Sequence, residues 1–215
     1  MLFGIKKRKQ FLSAAILALV FSSPAFAADI DQITASLKKG DFSVVKTQLI
    51  PLAEAGDARA QYNLGVSYRF GNGVEKDLQK AYAWTSKAAE NGDVRARVNL
   101  ASMYADGNGV AKDIPTAVSW YEKAATQGDV NADLSLAKIY RDGVGGTIDY
   151  AKAFEYYSRA ADKGSDDARY NLAAFYHYGL GVAKNEDKAK ALFASLRPQS
   201  GAGDLPPYNT AAGSR

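Results

Sequence analysis

The residue types that most often perform catalysis or bind metals are scarce in this chain of 215 residues. It contains no cysteine and a single histidine, His177. A thiol nucleophile, a thiolate metal site and a zinc site with two histidines are therefore excluded. Arg141, Ala105 and Arg69 precede His177 at intervals of 36 residues, which predicts a variable surface position rather than a catalytic base. We predict no enzyme activity, no catalytic residue, no metal site and no cofactor.

Glycine-rich segments offer a second chemistry, the binding of phosphate by backbone amides. They are GNGV at 71–74 and 107–110, GVGG at 143–146 and GLGV at 179–182. Each follows a helical pattern rather than a strand, and the recurrence suits a structural turn better than one nucleotide site. Asp106 and Asn108 resemble the opening of a calcium loop, but Val110 stands at the third ligand position and no glutamate at the twelfth. We predict that these loops end helices.

The glycine segments belong to a longer repeat, which determines the architecture. Four copies begin at Gly56, Gly92, Gly128 and Gly164, at intervals of 36 residues and without a gap. In the first half of each copy an alanine, a leucine and a tyrosine are four residues apart and share one helix face. They are Ala60, Leu64 and Tyr68; Ala96, Leu100 and Tyr104; Ala132, Leu136 and Tyr140; and Ala168, Leu172 and Tyr176. A loop and a second helix follow.

Small residues and helix caps mark the close contacts within each copy. Gly65, Ala101, Ala137 and Ala173 follow the four leucines. Because glycine within a helix costs about 1 kcal/mol relative to alanine, we predict that another helix approaches closely there. Asp77, Asp113, Asp149 and Asn185 are predicted N-caps of the second helices. Their buried faces are predicted to hold Ala81 with Trp84, Ala117 with Trp120, Ala153 with Tyr156, and Ala189 with Leu192.

The first 27 residues have the pattern of a secretory signal peptide. Basic residues at 6–9 precede an apolar run from Phe11 to Phe21, and small residues lead to Ala27. The run is too short to span about 30 Å of hydrocarbon as a helix. Cleavage after Ala27 removes 4 of the 27 basic residues and leaves 23 against 23 acidic ones. We therefore expect a periplasmic or secreted protein that binds no nucleic acid and has no membrane span after cleavage.

The predicted organisation has seven segments. They are a signal peptide at 1–27, a degenerate amino-terminal helical pair at 28–55, repeats at 56–91, 92–127, 128–163 and 164–196, and a disordered tail at 197–215. The degenerate pair comprises helices at 30–39 and 41–54, and Pro51 is expected to kink or end the second of them.

The first copy follows the pattern A-x-x-x-L-G-x-x-Y-x-x-G-x-G-V-x-x-D-x-x-K-A-x-x-W-x-x-K-A-A-x-x-G-D from Ala60 to Asp93. This pattern resembles the Sel-one-like repeat, a relative of the tetratricopeptide repeat, and the resemblance extends from Gly56 to Leu196. Gly146 replaces the loop valine in the third copy, and Leu192 replaces the tryptophan in the fourth.

The resemblance implies an all-α fold, a right-handed α-solenoid of antiparallel helix pairs with four 36-residue repeats and an amino-terminal capping pair. It also implies a scaffold or regulator in the bacterial cell envelope that binds a protein or peptide segment, with an envelope protein as the expected partner. Two alternatives stay open. One is a secreted cell-wall hydrolase or penicillin-binding protein, although such relatives are rich in cysteine; the other is a structural element of an envelope machine. The oligomeric state is not predicted.

If the copies stack as tetratricopeptide repeats do, the first helix of each pair lines the concave face. Positions on it that vary between copies are free to bind a partner. The predicted binding residues are Arg59, Tyr62, Asn63, Arg69, Phe70, Arg95, Asn99, Ser135, Lys138, Arg141, Asn171, His177 and Tyr178. Asparagine and serine side chains form a polar ladder suited to an extended backbone. The cations outnumber Asp106, Asp142 and Asp167, which predicts a ligand with acidic character.

Overall fold

The computed structural model describes residues 24–196, and every regular element in that range is a helix. The predicted signal segment up to residue 23 and the predicted disordered tail at 197–215 lie outside the described residues. The helices are α1 (Pro24–Lys38), a π-helical segment (Val45–Leu49), α2 (Ile50–Glu54), α3 (Ala58–Phe70), α4 (Leu78–Glu90), α5 (Val94–Asp106), α6 (Ile114–Ala125), α7 (Val130–Asp142), α8 (Tyr150–Asp162), α9 (Asp166–Tyr178) and α10 (Glu186–Ala194). The predicted all-α fold is confirmed.

The chain divides into two compact units, the first up to Ala111 and the second from Lys112. Helices α1 to α5 lie in the first unit and α6 to α10 in the second. None of the helices within residues 24–196 combines the length and the apolar character needed to cross a membrane.

The predicted N-caps of the second helices are confirmed. Asp77 accepts a hydrogen bond from the Lys80 amide at 2.9 Å, and Asn185 accepts one from the Lys188 amide at 2.9 Å. The bond from the Lys80 amide holds the pKa of Asp77 below its ordinary value. The first helices are capped as well, by Asp57, Asp93, Asp129 and Ser165. These four caps were not predicted from the sequence, although each directly follows the glycine that begins a copy.

The loop glycines serve two different purposes. Gly71 ends α3 with a φ of 78°, a left-handed conformation that other residues rarely adopt. Gly109 instead lies against the start of α4, where an added Cβ would come within 2.1 Å of the Leu78 carbonyl oxygen. The first glycine of a loop therefore ends its helix, whereas the second allows the loop to pack against the preceding helical pair.

The core of the first unit joins the capping pair to the first repeat. Ile30, Ile33, Val45, Leu49 and Leu64 are fully buried in one cluster. Pro51 does not end the second helix of the capping pair: the π-helical segment passes without a break into α2, and Pro51 lies in the first turn of α2. Proline is tolerated in the first turn of α2, where its missing amide would have no helical partner.

The close approach predicted at the small residues is observed at Gly65. A Cβ added there would lie 2.6 Å from Thr85 Oγ1 and 3.2 Å from the Thr85 amide nitrogen. The approaching helix is α4 of the same copy. Ala101, Ala137 and Ala173 are likewise completely buried.

The predicted buried face of the second helices is correct for the alanines Ala81, Ala117, Ala153 and Ala189 and wrong by one residue for the larger side chains. Trp84, Trp120, Tyr156 and Leu192 are only partly buried, whereas Thr85, Tyr121 and Tyr157 are buried beside the predicted alanines. The larger side chains lie at the edge of the core. Three of them are aromatic, and each of these rings is covered by a cation from one turn later in the helix. The Lys87 ammonium lies 4.1 Å from the Trp84 ring centre, and Lys123 lies 3.9 Å from that of Trp120.

The second unit has its own core, built around two aromatic rings. Tyr157 and Phe175 are fully buried and meet edge to face, with their centres 5.5 Å apart. Ala137, Ala153 and Leu172 pack in the same cluster. The partly buried Tyr156 ring is desolvated and lies near the Glu122 carboxylate, and these two effects raise the pKa of Tyr156 to about 12.

Candidate protein-binding surface

Three of the predicted binding residues meet at one cavity in the first unit. We call it the first-helix cavity; its volume is about 310 Å³. Its lining consists of Thr34, Leu37, Lys38, Phe42, Tyr62, Asn63, Val66, Ser67, Asn72 and Arg95. The sequence analysis found Tyr62, Asn63 and Arg95 from their repeat positions. It missed the residues of the capping pair, because that pair diverges from the repeat pattern.

The Tyr62 ring is held in place by charged neighbours. The Arg95 guanidinium lies 4.3 Å from the ring centre. Arg95 also donates to the carboxylate of Asp93, from Nε at 3.2 Å and from Nη2 at 2.6 Å. The bond to Asp93 raises the pKa of Arg95, and Asp93 in turn caps α5. The aromatic wall of the cavity is therefore fixed to the start of a helix.

The Asn63 amide connects the first repeat to the capping pair. Its Nδ2 donates to Thr34 Oγ1 at 3.0 Å, and the Thr34 hydroxyl donates to the Ile30 carbonyl at 2.7 Å. These bonds fix the orientation of the Asn63 amide, which lines the cavity. Asn99, the next position of the predicted polar ladder, is partly buried on α5.

Ion pairs reduce the positive charge that the sequence predicts for this surface. Arg59 pairs with Asp31 of α1, and Arg95 pairs with Asp93. Neither acid belongs to the first-helix positions from which the charge of this surface was predicted. Arg69 lies 5.4 Å from the centre of the Phe70 ring.

In the second unit, Arg141 contributes to packing. Its Nη1 donates to the Tyr157 hydroxyl at 2.9 Å and to Asn171 Oδ1 at 3.2 Å. Its Nε lies 2.6 Å from Asp142 Oδ1, and only 24% of its side chain is exposed. The prediction that Arg141 is a solvated surface residue is therefore wrong. Asn171 Nδ2 donates to the Asp167 carbonyl at 2.7 Å, so internal bonds occupy both ends of this amide.

The remaining predicted residues of the second unit differ in exposure. Ser135 is partly buried, and Lys138 is exposed on α7. His177 lies with Nδ1 2.8 Å from Glu186 Oε2, and its ring meets the Tyr178 ring with the two centres 4.6 Å apart. The bonds from His177 and Lys184 lower the pKa of Glu186.

Phe70 and Tyr178 were predicted to form part of a contact surface because their repeat equivalents are Asp106 and Asp142. Each is the last residue of its helix, α3 and α9, and they are 63% and 40% exposed. Within residues 24–196, no three histidine, aspartate or glutamate side chains are grouped closely enough to hold a metal ion.

Antiparallel helical pairs repeated every 36 residues define this chain as an α-helical repeat protein of the solenoid class. The model of the Sel1 repeat family matches residues 58–93, 94–129, 131–165 and 166–195. The chain therefore belongs to the Sel1 repeat family, as its resemblance predicted.

Solved structures support this assignment. A protective antigen present in uropathogenic Escherichia coli strains, with an SLR fold, is 30% identical over 79% of this chain, with a TM-score of 0.74. A Sel1 repeat protein from Oxalobacter formigenes is 32% identical over 75% of this chain, with a TM-score of 0.69. An immunity protein from Pseudomonas aeruginosa is 26% identical over 80% of this chain, with a TM-score of 0.50, and the match covers 64% of that protein.

This chain spans only part of the first two relatives, 37% of the Escherichia coli protein and 66% of the Oxalobacter protein. No curated protein matches it. Sel1 repeats generally mediate protein–protein interaction and are typically scaffolds without enzymatic activity.

Proposed function

We propose that this chain binds a segment of a partner protein on its first helices, with the first-helix cavity as the central contact in the first unit. The lining of this cavity carries the proposal. Leu37, Phe42 and Val66 supply apolar surface, whereas Asn63 and Asn72 supply amides. A peptide needs both, because its side chains are buried while its backbone keeps hydrogen-bonding partners.

Preorganisation supports the same function. Arg95 and Asp93 immobilise the Tyr62 ring, so little side-chain entropy is lost when a partner covers it. Tyrosine and arginine are also the residue types that dominate binding energy at protein interfaces. Tyr62 and Arg95 are therefore the expected energetic centre of the contact.

The charge of the lining indicates the chemistry of the partner segment. Lys38 and Arg95 line the cavity, and no carboxylate does. Since Arg95 is already bonded to Asp93, Lys38 supplies most of the remaining positive charge. We expect a segment that pairs an apolar side chain with an acidic one.

We further propose that the chain is exported and that its partner is an envelope protein. The basic residues at 6–9, the apolar run and the small residues before Ala27 support export. The description of the Escherichia coli relative as a protective antigen is consistent with it.

One purification tests the partner and the location together. The full precursor, tagged at its carboxyl end, is expressed as the wild type, as Val66→Asp in the cavity lining and as Ala83→Asp on the exposed side of α4. We expect a protein that begins at Ala28 in the envelope fraction, with one partner retained by the wild type and by Ala83→Asp. The amount of partner recovered with Val66→Asp should be at least about tenfold lower, because binding would bury the new carboxylate against an apolar or acidic segment.

Two results would count against the proposal. Equal recovery of the partner by Val66→Asp, with unchanged melting temperature, would place the interface elsewhere. An intact Met1 end as the major species, by mass spectrometry, would contradict export.

A further inference from the structure

A second cavity of about 540 Å³ lies in the first unit and shares no lining residue with the first-helix cavity. We call it the second-helix cavity; it is lined by Ala53, Glu54, Gln61, Trp84, Lys87, Glu90 and Asn91. Gln61 is buried and fixed, since its Nε2 donates to the Ala53 carbonyl at 3.1 Å and its Oε1 accepts from Asn91 Nδ2 at 2.8 Å. The cavity is therefore polar and has an ordered wall.

The electrostatics of this cavity favour a cation. Helix α2 ends at Glu54 and helix α4 ends at Glu90. The carboxyl end of a helix carries partial negative charge, which attracts cations and disfavours acidic side chains. Glu54 and Glu90 are both exposed, and neither forms an ion pair with another residue of the described range 24–196. Two unpaired carboxylates thus occupy positions where they destabilise the free protein.

Trp84 adds an aromatic surface that already attracts a cation. The Lys87 ammonium lies 4.1 Å from its ring centre, within the range of a cation–π interaction. Lys87 is exposed, so a ligand with a better-fitting cation can displace it. A planar guanidinium stacks on an indole and binds carboxylates in a way that an ammonium does not.

The other repeats show which cation fits. The Ala53 carbonyl accepts a hydrogen bond from the neutral amide of Gln61. At the equivalent carbonyls, Ala89 accepts from Arg97 Nε at 3.1 Å, and Ala125 accepts from Arg159 Nη2 at 3.4 Å. Arg97 occupies the repeat position of Gln61, whereas Arg159, which also pairs with Asp133, occupies that of Lys87. A guanidinium therefore reaches the second and third carbonyls, whereas the first copy has a neutral amide and an ammonium at these two positions.

We propose that the second-helix cavity binds the guanidinium group of an arginine side chain of a partner protein, between Trp84 and the carboxylates of Glu54 and Glu90. This site is independent of the proposed function, because it lies on different residues and takes a ligand of opposite charge. It gives the protein a second point of attachment.

Fluorescence of Trp84 tests the proposal. The chain has two tryptophans, so the full chain with Trp120→Phe reports on Trp84 alone. The probe is the peptide acetyl-Gly-Arg-Gly-Arg-Gly-amide, and its matched control carries citrulline, which has the same shape without the charge. We expect a saturable change with the arginine peptide and at least about tenfold weaker binding of the citrulline peptide.

Variants assign the binding to the cavity. The double variant Glu54→Gln, Glu90→Gln should bind the arginine peptide at least about tenfold more weakly. The matched double variant Glu75→Gln, Glu155→Gln should bind it as tightly as the parent. Lys87→Ala should tighten binding several-fold, because it removes the competing ammonium. The unliganded Glu54→Gln, Glu90→Gln variant should melt no lower than its parent, since it relieves unfavourable charges at two helix ends. Loss of binding therefore cannot be ascribed to unfolding.

The proposal is overturned by an absence of saturable binding in both the parent and Lys87→Ala, or by equal binding of the citrulline peptide. It is also overturned if an oligomer of N-acetylglucosamine changes the Trp84 signal and the arginine peptide does not. That result would make the indole a saccharide platform. Failure of this site leaves the capture experiment on the first-helix cavity unaffected.

Discussion

Gly65→Leu is expected to lower the free energy of unfolding by about 3 kcal/mol, the upper end of the usual cost of overpacking. Even a single added Cβ would lie 2.6 Å from Thr85 Oγ1, 3.2 Å from the Thr85 amide nitrogen and 3.3 Å from the Ala81 carbonyl oxygen. Two of these three atoms belong to the backbone of α4, so the strain is relieved only if the whole helix moves. Urea unfolding followed by circular dichroism measures the effect.

Ala83→Leu is the matched control, because Ala83 is exposed on the same helix α4. We expect it to change the free energy of unfolding by less than about 0.5 kcal/mol. If the two variants unfold at the same urea concentration, the close approach of α3 and α4 at Gly65 is wrong, and the small residue at this position has another cause.

The double variant Arg159→Met, Lys163→Met is expected to have a free energy of unfolding about 3 to 5 kcal/mol lower than the wild type, because it leaves a buried carboxylate without a compensating charge. Asp133 is 0% exposed. Its Oδ1 lies 3.0 Å from Arg159 Nη2, and its Oδ2 lies 2.6 Å from Lys163 Nζ. Both cations come from the end of α8 and its following turn, so the ion pairs join the two helices of the third copy.

A third substitution separates the loss of a charge pair from the loss of packing. Adding Asp133→Leu to the double variant removes the uncompensated carboxylate and should restore most of the lost stability. Replacing a buried ion pair by apolar residues of similar volume often leaves the stability unchanged. Lys152→Met, which removes the exposed pair with Asp149 at 3.9 Å, should cost less than about 1 kcal/mol. If the triple variant is as unstable as the double variant, the two cations act through their own packing rather than by compensating Asp133.

The sequence predicted the repeated elements well, because each is encoded by local chemistry. Leu64 and its equivalents show the helical period, Asp77 and its equivalents cap the second helices, and Gly71 ends α3 in a left-handed conformation. None of these features depends on a distant part of the chain.

The sequence prediction is wrong where neighbouring residues compete for the same space. Trp84 was predicted to be buried because an apolar residue recurs at this position of the repeat, yet Thr85 is the one that faces Gly65. The glycine leaves room for a small side chain, and the indole is displaced to the edge, where Lys87 covers it. Size and hydrophobicity of one residue therefore do not decide burial when the opposite helix is this close.

The candidate sites were only partly predictable for a related reason. Tyr62, Asn63 and Arg95 follow from the repeat register, but the cavity that they share is completed by Leu37, Lys38 and Phe42 of the divergent capping pair. The pairing of Arg59 with Asp31 also requires the position of α1, which no repeat pattern specifies. The second-helix cavity depends likewise on Glu54, at the end of that pair.

Site-specific photo-crosslinking in living cells tests most directly whether the first helices bind the partner. A benzophenone side chain replaces Tyr62 in the first-helix cavity or, as the control, Ser119 on the exposed side of α6, which lines neither cavity of the first unit. Light is expected to produce one covalent adduct, found in the envelope fraction, from position 62 and not from position 119. An adduct from position 119 alone, or no adduct from position 62 in a chain that still retains its partner, would show that the first helices do not bind the partner.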